Sequence, residues 1–572
     1  MNKITEHPIL DVPTGEKTTI IFNGKEIAAE KGITIAAALH RAGYAVHSHS
    51  IEGRNRGLEC GIGKCGACEM LVDGNIRRIC VTKVDDVREI NEIPHDFIPR
   101  EKELKPGEPT RIFETEVAVI GAGPAGLAVR ELLNRHGVSN IVIDNNEQIG
   151  GQFLMQTHKF FFFEKEKKYG GMRGFEVAAA LAGDDLAGIF LNSTVWDILE
   201  GRRLAVKNIK TSEIYYVDAS CVVIAAGAVP YIPPFENDDV PGVYTAAVVQ
   251  KMMNIEFTLL GKRVLTVGAG NIGYLTSYQL MQAGADVKAI IEVQDHEGGF
   301  PVQANRIKRL GIPVLTSCIL VKAIPNADYT GITGAVIAEC RDFKAVPGTE
   351  KTIDNIDVIN ICTGLVPDDQ LLIKGNEIFG RNCFGAGDAM RIGEGTSAVL
   401  RGKQVAYEIL ERLGVRYDYD AYLAVSKEYI DSQQRPVQVL ETPVLPSTER
   451  AKKPFVIADC LYGFACNPCA FSCPHGAISK SSTSSIPRID YDRCIGCMEC
   501  VAQCPGLAIF GYYPEKNWLF LPVENAVYGG PTCQDKNVLS LSWAQLHCSW
   551  AALPRFYLFQ DWFPDGGIPC GA

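Results

Sequence analysis

The chain has 572 residues, a net charge of −11 and 20 cysteines. That length allows about three or four domains with sizeable cores. The negative charge and the lack of a long basic run exclude nucleic acid and anionic membranes as main partners. No stretch approaches about 18 consecutive apolar residues, and the N-terminus has no apolar signal core. We therefore expect a cytoplasmic protein without a membrane span.

Most of the cysteines fall into two groups. Four lie between Cys60 and Cys80, and eight lie between Cys460 and Cys504. Such close spacing favours metal ligation over disulfide bonds. Scattered cysteines are usually small buried apolar residues, and we expect this of Cys221, Cys318, Cys340, Cys362 and Cys383.

The first predicted domain spans residues 16–93. Two β-prone runs on either side of Asn23-Gly24 predict a hairpin, and Ile33 to Ala42 predicts a short amphipathic helix. Four cysteines follow with the first two spacings of a plant-type [2Fe–2S] loop. A structural zinc site is the alternative, although zinc sites usually show two separated Cys-x2-Cys pairs. The predicted cluster ligands are Cys60, Cys65, Cys68 and Cys80.

The early fourth cysteine separates this loop from plant ferredoxins. The loop resembles the small [2Fe–2S] modules of succinate dehydrogenase iron–sulfur subunits and of hydrogen cyanide synthase, which implies a β-grasp fold. Residues 94–111 are rich in proline and charge and are predicted to be a linker.

A glycine fingerprint opens the next domain. Residues 115–120 are β-prone, residues 127–133 favour a helix, and Gly-x-Gly-x-x-Gly stands between them. The first two glycines of such a turn let the backbone approach a pyrophosphate, and the third lets helix and strand pack closely. An acid then ends the next apolar run, where a ribose hydroxyl needs an acceptor. The predicted dinucleotide contacts are Gly121, Gly123, Pro124, Ala125, Gly126 and Asp144.

Three later segments resemble those of the thioredoxin-reductase-like, two-dinucleotide flavoproteins: Gly150-Gly151-Gln152, Cys221 to Gly227, and Cys383 to Asp388. The resemblance implies FAD as the cofactor. The disulfide reductases of this superfamily need a Cys-x2-Cys pair or its equivalent beside the flavin, and none occurs between Cys80 and Cys460. We therefore expect the flavin electrons to go elsewhere. The further FAD contacts that the resemblance implies are Gly151, Gln152, Ala226, Gly227, Gly387 and Asp388.

A second fingerprint is inserted between these segments. Residues 262–267 lead to Gly-Ala-Gly-Asn-Ile-Gly, and the following strand ends in an acid. An acid there suits a free ribose 2′-hydroxyl, which favours NAD over NADP if a nucleotide binds. The alternative is an inherited Rossmann lobe that no longer uses NAD(H). The predicted NAD contacts are Gly268, Gly270, Asn271, Gly273, Glu292 and Gly364.

These motifs predict how the central region is divided. The first part of the FAD domain covers residues 112–245, the inserted NAD-type domain 246–364, and the second part of the FAD domain 365–415. His158 follows the Gly151 segment and is a weak catalytic candidate. A surface or packing histidine is the favoured alternative.

Residues 416–455 are predicted to be helix and linker, and 456–525 carry two cysteine runs. The second run has the Cys-x2-Cys-x2-Cys-x3-Cys-Pro spacing of bacterial ferredoxins, in which the fourth cysteine ligates the other cluster. The first run departs at Cys460-x5-Cys466, so an altered or missing first cluster is the alternative. The predicted ligands are Cys460, Cys466, Cys469 and Cys504 for one [4Fe–4S] cluster, and Cys494, Cys497, Cys500 and Cys473 for the other.

The tail, residues 526–572, has few charges and no clear period. An interface tail and a non-native C-terminus are equally compatible with its sequence, and we assign it no function.

The order of these modules resembles the FAD and iron–sulfur subunits of amine and amino-acid dehydrogenases. These include the hydrogen cyanide synthase, opine oxidase, dye-linked proline dehydrogenase and sarcosine oxidase α-like groups. The resemblance covers residues 16 to about 525. It implies an α/β fold with two Rossmann-like dinucleotide-binding domains, an N-terminal β-grasp [2Fe–2S] module and a C-terminal α+β module with two [4Fe–4S] clusters.

The resemblance also implies a function. The chain would be an FAD-dependent oxidoreductase subunit that passes electrons from flavin to clusters. Its partner would be a second flavoprotein that binds a secondary amine or amino acid of the proline, hydroxyproline, sarcosine or opine type, or else a soluble electron carrier. Two alternatives stay open: an NAD(P)H:acceptor oxidoreductase resembling the glutamate synthase small subunit, and an electron-transfer adaptor without a substrate site.

Overall fold

The structure is a computed structural model of the whole chain. It describes residues 2–85, 87–94, 97, 111–160, 169, 172–433, 437–438, 446–447, 449–458, 460, 462–463, 468–480, 486–506, 508–514, 518–521 and 539–542. Within those residues, none of the helices combines the length and apolar character that crossing a bilayer requires.

The N-terminal module is a five-stranded mixed sheet with one buried helix. The predicted hairpin is present, and Asn23 and Gly24 both adopt positive φ in its turn, as a tight two-residue hairpin requires. The sheet order is β2-β1-β7-β5-β6, with β1 and β7 parallel and the other pairs antiparallel. The elements are β1 (Lys17–Phe22), β2 (Lys25–Glu30), α1 (Ile35–Arg41), β3 (Ser48–His49), β4 (Asn55–Arg56), β5 (Glu69–Val72), β6 (Asn75–Arg78) and β7 (Glu89–Asn91).

The first Rossmann-like sheet has the order β10-β9-β8-β13-β12-β11. Strand β25 pairs with the C-terminal end of β13, on the edge opposite β8. Strands β8, β9, β10, β13 and β25 run parallel, and β11 and β12 form an antiparallel extension. Its elements before the insertion are β8 (Arg111–Ile120), α2 (Pro124–Arg135), β9 (Asn140–Ile143), α3 (Gly174–Ala182), β10 (Ile189–Phe190), β11 (Ser193–Leu199), β12 (Arg203–Asn208), β13 (Ile214–Ile224) and β14 (Ala228–Pro230).

The inserted lobe has a second parallel sheet, ordered β15-β23-β16-β17-β18, and an antiparallel unit in which β20 pairs with β19, β21 and β22. Its elements are β15 (Val243–Thr245), α4 (Ala246–Asn254), β16 (Arg263–Val267), α5 (Asn271–Gln282), β17 (Asp286–Ile291), α6 (Pro301–Arg309), β18 (Val314–Leu315), β19 (Cys318–Pro325), β20 (Ile332–Arg341), β21 (Lys344–Ala345), β22 (Lys351–Asp354) and β23 (Val358–Ile361).

The chain then returns to the first sheet. Strands β14 and β24 pair antiparallel where it leaves and re-enters that domain. Helix α8 packs so closely on α2 that a Cβ on Gly402 would lie 2.3 Å from the Ala125 carbonyl oxygen, which explains the glycine. The returning elements are β24 (Leu365–Pro367), α7 (Gln370–Phe379), β25 (Cys383–Gly385) and α8 (Gly395–Leu413).

The C-terminal module is held by β27 and β31, which pair antiparallel, and by the short pair β29–β30. Part of the tail also joins this sheet, because β33 pairs with β32. The rest of the tail and Cys466 lie outside the described residues. The elements are α9 (Tyr419–Ser432), β26 (Val437–Gln438), β27 (Phe455–Ala458), β28 (Tyr462–Gly463), α10 (Pro468–Ser472), β29 (Ile478–Ser479), β30 (Arg488–Ile489), α11 (Glu499–Gln503), β31 (Ile509–Tyr513), β32 (Trp518–Leu521) and β33 (Leu539–Ser542).

Both outer modules pack against the inserted lobe. Leu39 of the N-terminal module and Val248 of the lobe belong to one continuous hydrophobic core. Phe300 of the lobe packs against the hydrophobic core of the C-terminal module. The inserted lobe is therefore in contact with both cysteine-rich modules.

Candidate cofactor sites

The FAD-type motifs meet at one edge of the first sheet. Ile120, Ile224 and Gly385 are register partners at the ends of three parallel strands, so the loops that follow these strands leave the sheet together. Ligands of open α/β sheets bind at such an edge. The Gly121 turn, the Ala226-Gly227 turn and the Gly387-Asp388 segment therefore face one crevice, although they are far apart in the sequence.

The glycine turn leaves space for a phosphate. Gly121 has φ +111°, and a Cβ on Gly126 would lie 1.9 Å from the Gly121 carbonyl oxygen, so both positions require glycine. A Cβ on Gly123 would have no described atom within 4 Å. Gly123 is also the N-cap of α2 and makes no side-chain cap bond, which leaves helix N–H groups available to an anion. The turn fits a dinucleotide pyrophosphate.

The Asp144 side chain is hydrogen-bonded to the backbone of the glycine turn. Its Oδ2 accepts a hydrogen bond from the Ala122 N–H at 2.6 Å, and its Oδ1 accepts one from the Asn146 N–H at 2.7 Å. Burial raises the pKa of this carboxyl. Carboxylate oxygens have spare lone pairs, so the side chain can still accept from a ribose hydroxyl.

The remaining FAD-type residues border the same crevice. A Cβ on Gly151 would lie 3.1 Å from Gly123 Cα, whereas the Gln152 side chain is exposed. A Cβ on Gly387 would lie 2.9 Å from Ala125 Cβ, and burial raises the pKa of the neighbouring Asp388.

The second fingerprint has the same backbone geometry and the same bond from an acid as the first. Gly268 has φ +108°, and a Cβ on Gly273 would lie 2.0 Å from the Gly268 carbonyl oxygen. Glu292 Oε2 accepts from the Ala269 N–H at 2.8 Å, as Asp144 does in the first lobe. A Cβ on Gly270 has no described atom within 4 Å, and Gly364 has φ +121° after β23. This lobe has the shape of a second dinucleotide site.

Asn271 links the two lobes at the start of α5. Its Oδ1 accepts from the Phe300 N–H, and its Nδ2 donates to Glu394 Oε1, both at 2.6 Å. Gly298 and Gly299, which were not predicted from the sequence, both donate to the Ala269 carbonyl, as Gly150 does to that of Ala122. The signal that would have found them is the repetition of Gly-Gly after each fingerprint.

His158 lies in the interior between the lobes. It is 8% exposed, and its ring centroid is 4.8 Å from that of Phe160. Burial, with smaller contributions from the charges of Arg306 and Arg173, lowers its pKa to about 3. It is therefore neutral at physiological pH, and its catalytic role stays a prediction.

The four cysteines of the N-terminal module converge. Hydrogen bonds from the Cys65 and Cys80 thiols hold the pKa of Cys60 far below its usual range, and Cys68 is likewise hydrogen-bonded to Cys80. Cys60 Sγ also accepts from the backbone N–H groups of Lys64 and Cys65, each at 3.4 Å. Four converging thiols with backbone amide donors suit an iron–sulfur cluster.

The four cysteines of the second set of the C-terminal module line one small cavity. Cys473 Sγ accepts from the Ala477 N–H at 3.2 Å, which is the kind of amide donor that stabilises cluster sulfur. The predicted ligands on the wall of this cavity are Cys473, Cys494, Cys497 and Cys500.

The first cysteine set also converges in its described part. Burial, with smaller contributions from the nearby Cys504 and Cys460 thiols, raises the pKa of Cys469 to about 12. Cys504 Sγ accepts from the Ala508 N–H at 3.2 Å, in the same position as the Cys473 bond. Cys460 thus approaches its predicted partners despite the unusual spacing.

Three segments of the chain match models of known protein families. Residues 115–389 match the family model described as pyridine nucleotide-disulphide oxidoreductase. Residues 15–92 match a 2Fe-2S iron-sulfur cluster binding domain, and residues 463–509 match a 4Fe-4S dicluster domain. The central region is a two-dinucleotide flavoprotein domain. The predicted fold class and the cofactors FAD, [2Fe–2S] and [4Fe–4S] are thereby confirmed.

Some of the relatives of the chain are named as subunits of oxidases. The chain is 24% identical to the alpha subunit of sarcosine oxidase from Corynebacterium sp. (strain U-96), over 62% of this chain and 38% of that protein. It is 28% identical to one subunit of the opine oxidase from Agrobacterium tumefaciens, over 31% of this chain and 36% of that one. The matches thus span less than two-fifths of these relatives.

A solved structure shares the fold. The L-proline dehydrogenase from P. horikoshii aligns with a TM-score of 0.56 at 18% identity, covering 77% of this chain and 81% of that one. This similarity extends the agreement in architecture beyond the central domain.

Proposed function

We propose that the chain is the electron-transfer and flavin subunit of a secondary-amine or amino-acid dehydrogenase. The observation that carries the proposal is the contact between the cysteine loop and the FAD-type edge. Lys64, next to Cys65, forms an ion pair with Asp368 and interacts electrostatically with Asp144. A cluster loop thus lies against the domain in which the superfamily's Cys-x2-Cys pair is missing. The names of the sarcosine and opine oxidase relatives support the substrate class.

The proposed cofactor residues are those predicted from the sequence. The Gly121–Gly126 turn and Asp144 would hold the FAD pyrophosphate and ribose, and Asp388 its middle region. The three cysteine sets would hold one [2Fe–2S] cluster in the predicted module 16–93 and two [4Fe–4S] clusters in the predicted module 456–525. Bound FAD accepts two electrons from a donor and can release them singly, and each cluster carries one.

The protein's own part is to hold these groups in a fixed arrangement. The two lobes are joined by a buried amide network, in which Gln250 Nε2 donates to Gln279 Oε1 at 2.8 Å and to Gln156 Oε1 at 3.3 Å. Asn254 Nδ2 donates to the Met155 carbonyl at 2.7 Å. Separating the lobes would break the Gln250–Gln156 and Asn254–Met155 hydrogen bonds, each of which contributes about 0.5–1.5 kcal/mol. We infer that the flavin and both cluster modules keep their relative positions during turnover.

A partner protein would supply the substrate site. The relatives are named as parts of larger enzymes, and among the described residues no acid–base pair beside the FAD-type edge stands out as a substrate-binding group. We propose a second flavoprotein that binds the amine, with a soluble electron carrier as the alternative partner, in the cytoplasm. Co-purification of the natively expressed chain followed by mass spectrometry tests for that partner.

Anaerobic reduction tests the function. The chain and its co-purified partner are mixed with proline, sarcosine or an opine, and the flavin absorbance is followed. We expect bleaching by one of these substrates only when the partner is present. Bleaching by none of them in the intact complex would contradict the amine dehydrogenase proposal.

A second candidate function is NADH oxidation. It is favoured by the second fingerprint, in which Glu292 and Gly270 repeat the geometry of the first. Rapid bleaching of the flavin by NADH in the chain alone would support it. Reduction by neither donor would favour the adaptor alternative.

A further inference from the structure

The inserted lobe contributes a cationic side chain that hydrogen-bonds to the backbone beside the predicted cluster ligands of each iron–sulfur module. On the N-terminal side, Lys251 of α4 donates from Nζ to the carbonyls of Gly61 and Cys80, at 3.0 and 2.8 Å. Both carbonyls belong to the predicted cluster loop. The Lys251 charge also interacts with the thiols of Cys68 and Cys80. This cation lies beside the predicted [2Fe–2S] site.

On the C-terminal side, Arg306 of α6 makes the corresponding contact with the C-terminal module. Its Nη2 donates to the Pro505 carbonyl at 2.7 Å, and Pro505 directly follows the predicted ligand Cys504. The guanidinium lies over the Tyr278 ring, 4.8 Å from its centroid, and the side chain is 3% exposed. A stacked and buried guanidinium is held in one orientation and is poorly screened by solvent.

The same kind of contact occurs within the C-terminal module. Arg450 donates from Nη2 to the carbonyl of Cys494 and from Nε to the carbonyl of Tyr491. Each of the three predicted clusters therefore has a cation hydrogen-bonded to the backbone of a ligand or of the residue next to a ligand. Of these three cations, Lys251 and Arg306 come from the inserted lobe.

We propose that Lys251 and Arg306 are positioning residues that fix the two iron–sulfur modules on the inserted lobe and raise the reduction potential of the cluster beside each of them. A cluster becomes more negative when it accepts an electron, so a nearby fixed cation stabilises its reduced form. The inserted lobe would thus tune a cluster in each iron–sulfur module whether or not it binds NAD(H). This inference rests on the proposed function, because it requires that the cysteines bind clusters.

The test compares two variants with a matched control. Lys251→Met and Arg306→Met each remove one cation and keep an apolar stem. Arg263→Met is the control, because Arg263 is an ion-paired cation of the same lobe that bonds to Asp357 and Asn355, not to a cluster loop. In each variant of the full, cluster-loaded chain, EPR signals are recorded during a redox titration. The [2Fe–2S] and [4Fe–4S] signals are distinguished by their temperature dependence.

We expect a crossed pattern. Lys251→Met lowers the [2Fe–2S] potential and leaves the [4Fe–4S] potentials unchanged, whereas Arg306→Met lowers one [4Fe–4S] potential only. A tenfold fall in the ratio of reduced to oxidised cluster corresponds to about 59 mV for one electron. Arg263→Met changes none of them. If Arg306→Met loses iron, Arg306→Gln is titrated instead, since it keeps a donor without the charge.

Unchanged potentials in cluster-loaded Lys251 and Arg306 variants would overturn the inference, and so would equal shifts of all signals in both. Absence of cluster signals in the unmodified chain would instead refute the proposed function. Rescue of the potential by Arg306→Lys is expected, because a cation is restored.

Discussion

Replacing Gly123 with alanine should change FAD affinity while leaving the stability of the fold nearly unchanged. The added methyl group has no described atom within 4 Å, so the protein alone accommodates it. Gly123 has φ −75° and ψ −178°, which alanine also adopts. The space that the methyl group fills is the space that we assign to the FAD pyrophosphate. Gly123→Ala should therefore weaken FAD binding without destabilising the chain.

The expected magnitudes follow from these contacts. An alanine at this N-cap loses about 0.5–1.5 kcal/mol of helix capping relative to glycine and gains about 0.4–1 kcal/mol from a less flexible unfolded chain, so the net stability change is within about 1 kcal/mol. Crowding a bound phosphate by one methyl group costs about 1–3 kcal/mol. That corresponds to an FAD dissociation constant raised about 5- to 150-fold. Gly126→Ala differs, because its methyl group would overlap the Gly121 carbonyl and push α2 away from β8.

The assay is fluorescence titration of the flavin-depleted chain with FAD, together with thermal unfolding of the same preparations. We expect Gly123→Ala to lose affinity at unchanged unfolding temperature and Gly126→Ala to lose both. Wild-type FAD affinity in Gly123→Ala would refute the placement of the pyrophosphate against this turn.

Three further predictions address the other sites. The methyl group of Gly270→Ala would meet no described atom within 4 Å, so this variant should keep its FAD. If the second lobe binds NAD(H), NADH should reduce the flavin of this variant at least tenfold more slowly. An unchanged rate would show that electrons from NADH do not enter through this lobe. Burial lowers the pKa of His40 to about 4. The folded chain therefore binds fewer protons at this site than the unfolded chain does as the pH falls. The free energy of unfolding should fall by about 1.5 kcal/mol from pH 6.5 to pH 5. Denaturant unfolding at both pH values should show a smaller fall in His40→Gln. Cys473→Ser should lower iron content and remove one [4Fe–4S] EPR signal, whereas Cys383→Ser should leave both unchanged.

The motifs that depend on local geometry were predictable from the sequence. The Asn23-Gly24 hairpin and the two glycine fingerprints are set by residues that are neighbours in the chain, and glycine spacing alone specifies their turns. The cysteine spacing likewise predicted both kinds of cluster domain, and the family models confirm them. Glu292 was predictable as the second acid, because it ends the strand next to its fingerprint.

The contacts that join the modules could not be predicted. Lys251 and Arg306 lie on ordinary amphipathic helices, and their partners Cys80 and Pro505 are about 170 and 200 residues away in the sequence. The buried Gln156–Gln250–Gln279 network is formed by polar residues that suggest surface positions when considered singly. Only tertiary packing brings such groups together.

The central claim is that one chain combines a two-electron flavin with three one-electron clusters. Anaerobic reductive titration of the fully loaded chain, followed by flavin absorbance and EPR, tests it most directly. We expect about five electrons per chain, two on the flavin and one on each cluster. Uptake of only about two electrons by an iron-loaded chain, with no cluster EPR signals, would contradict the account.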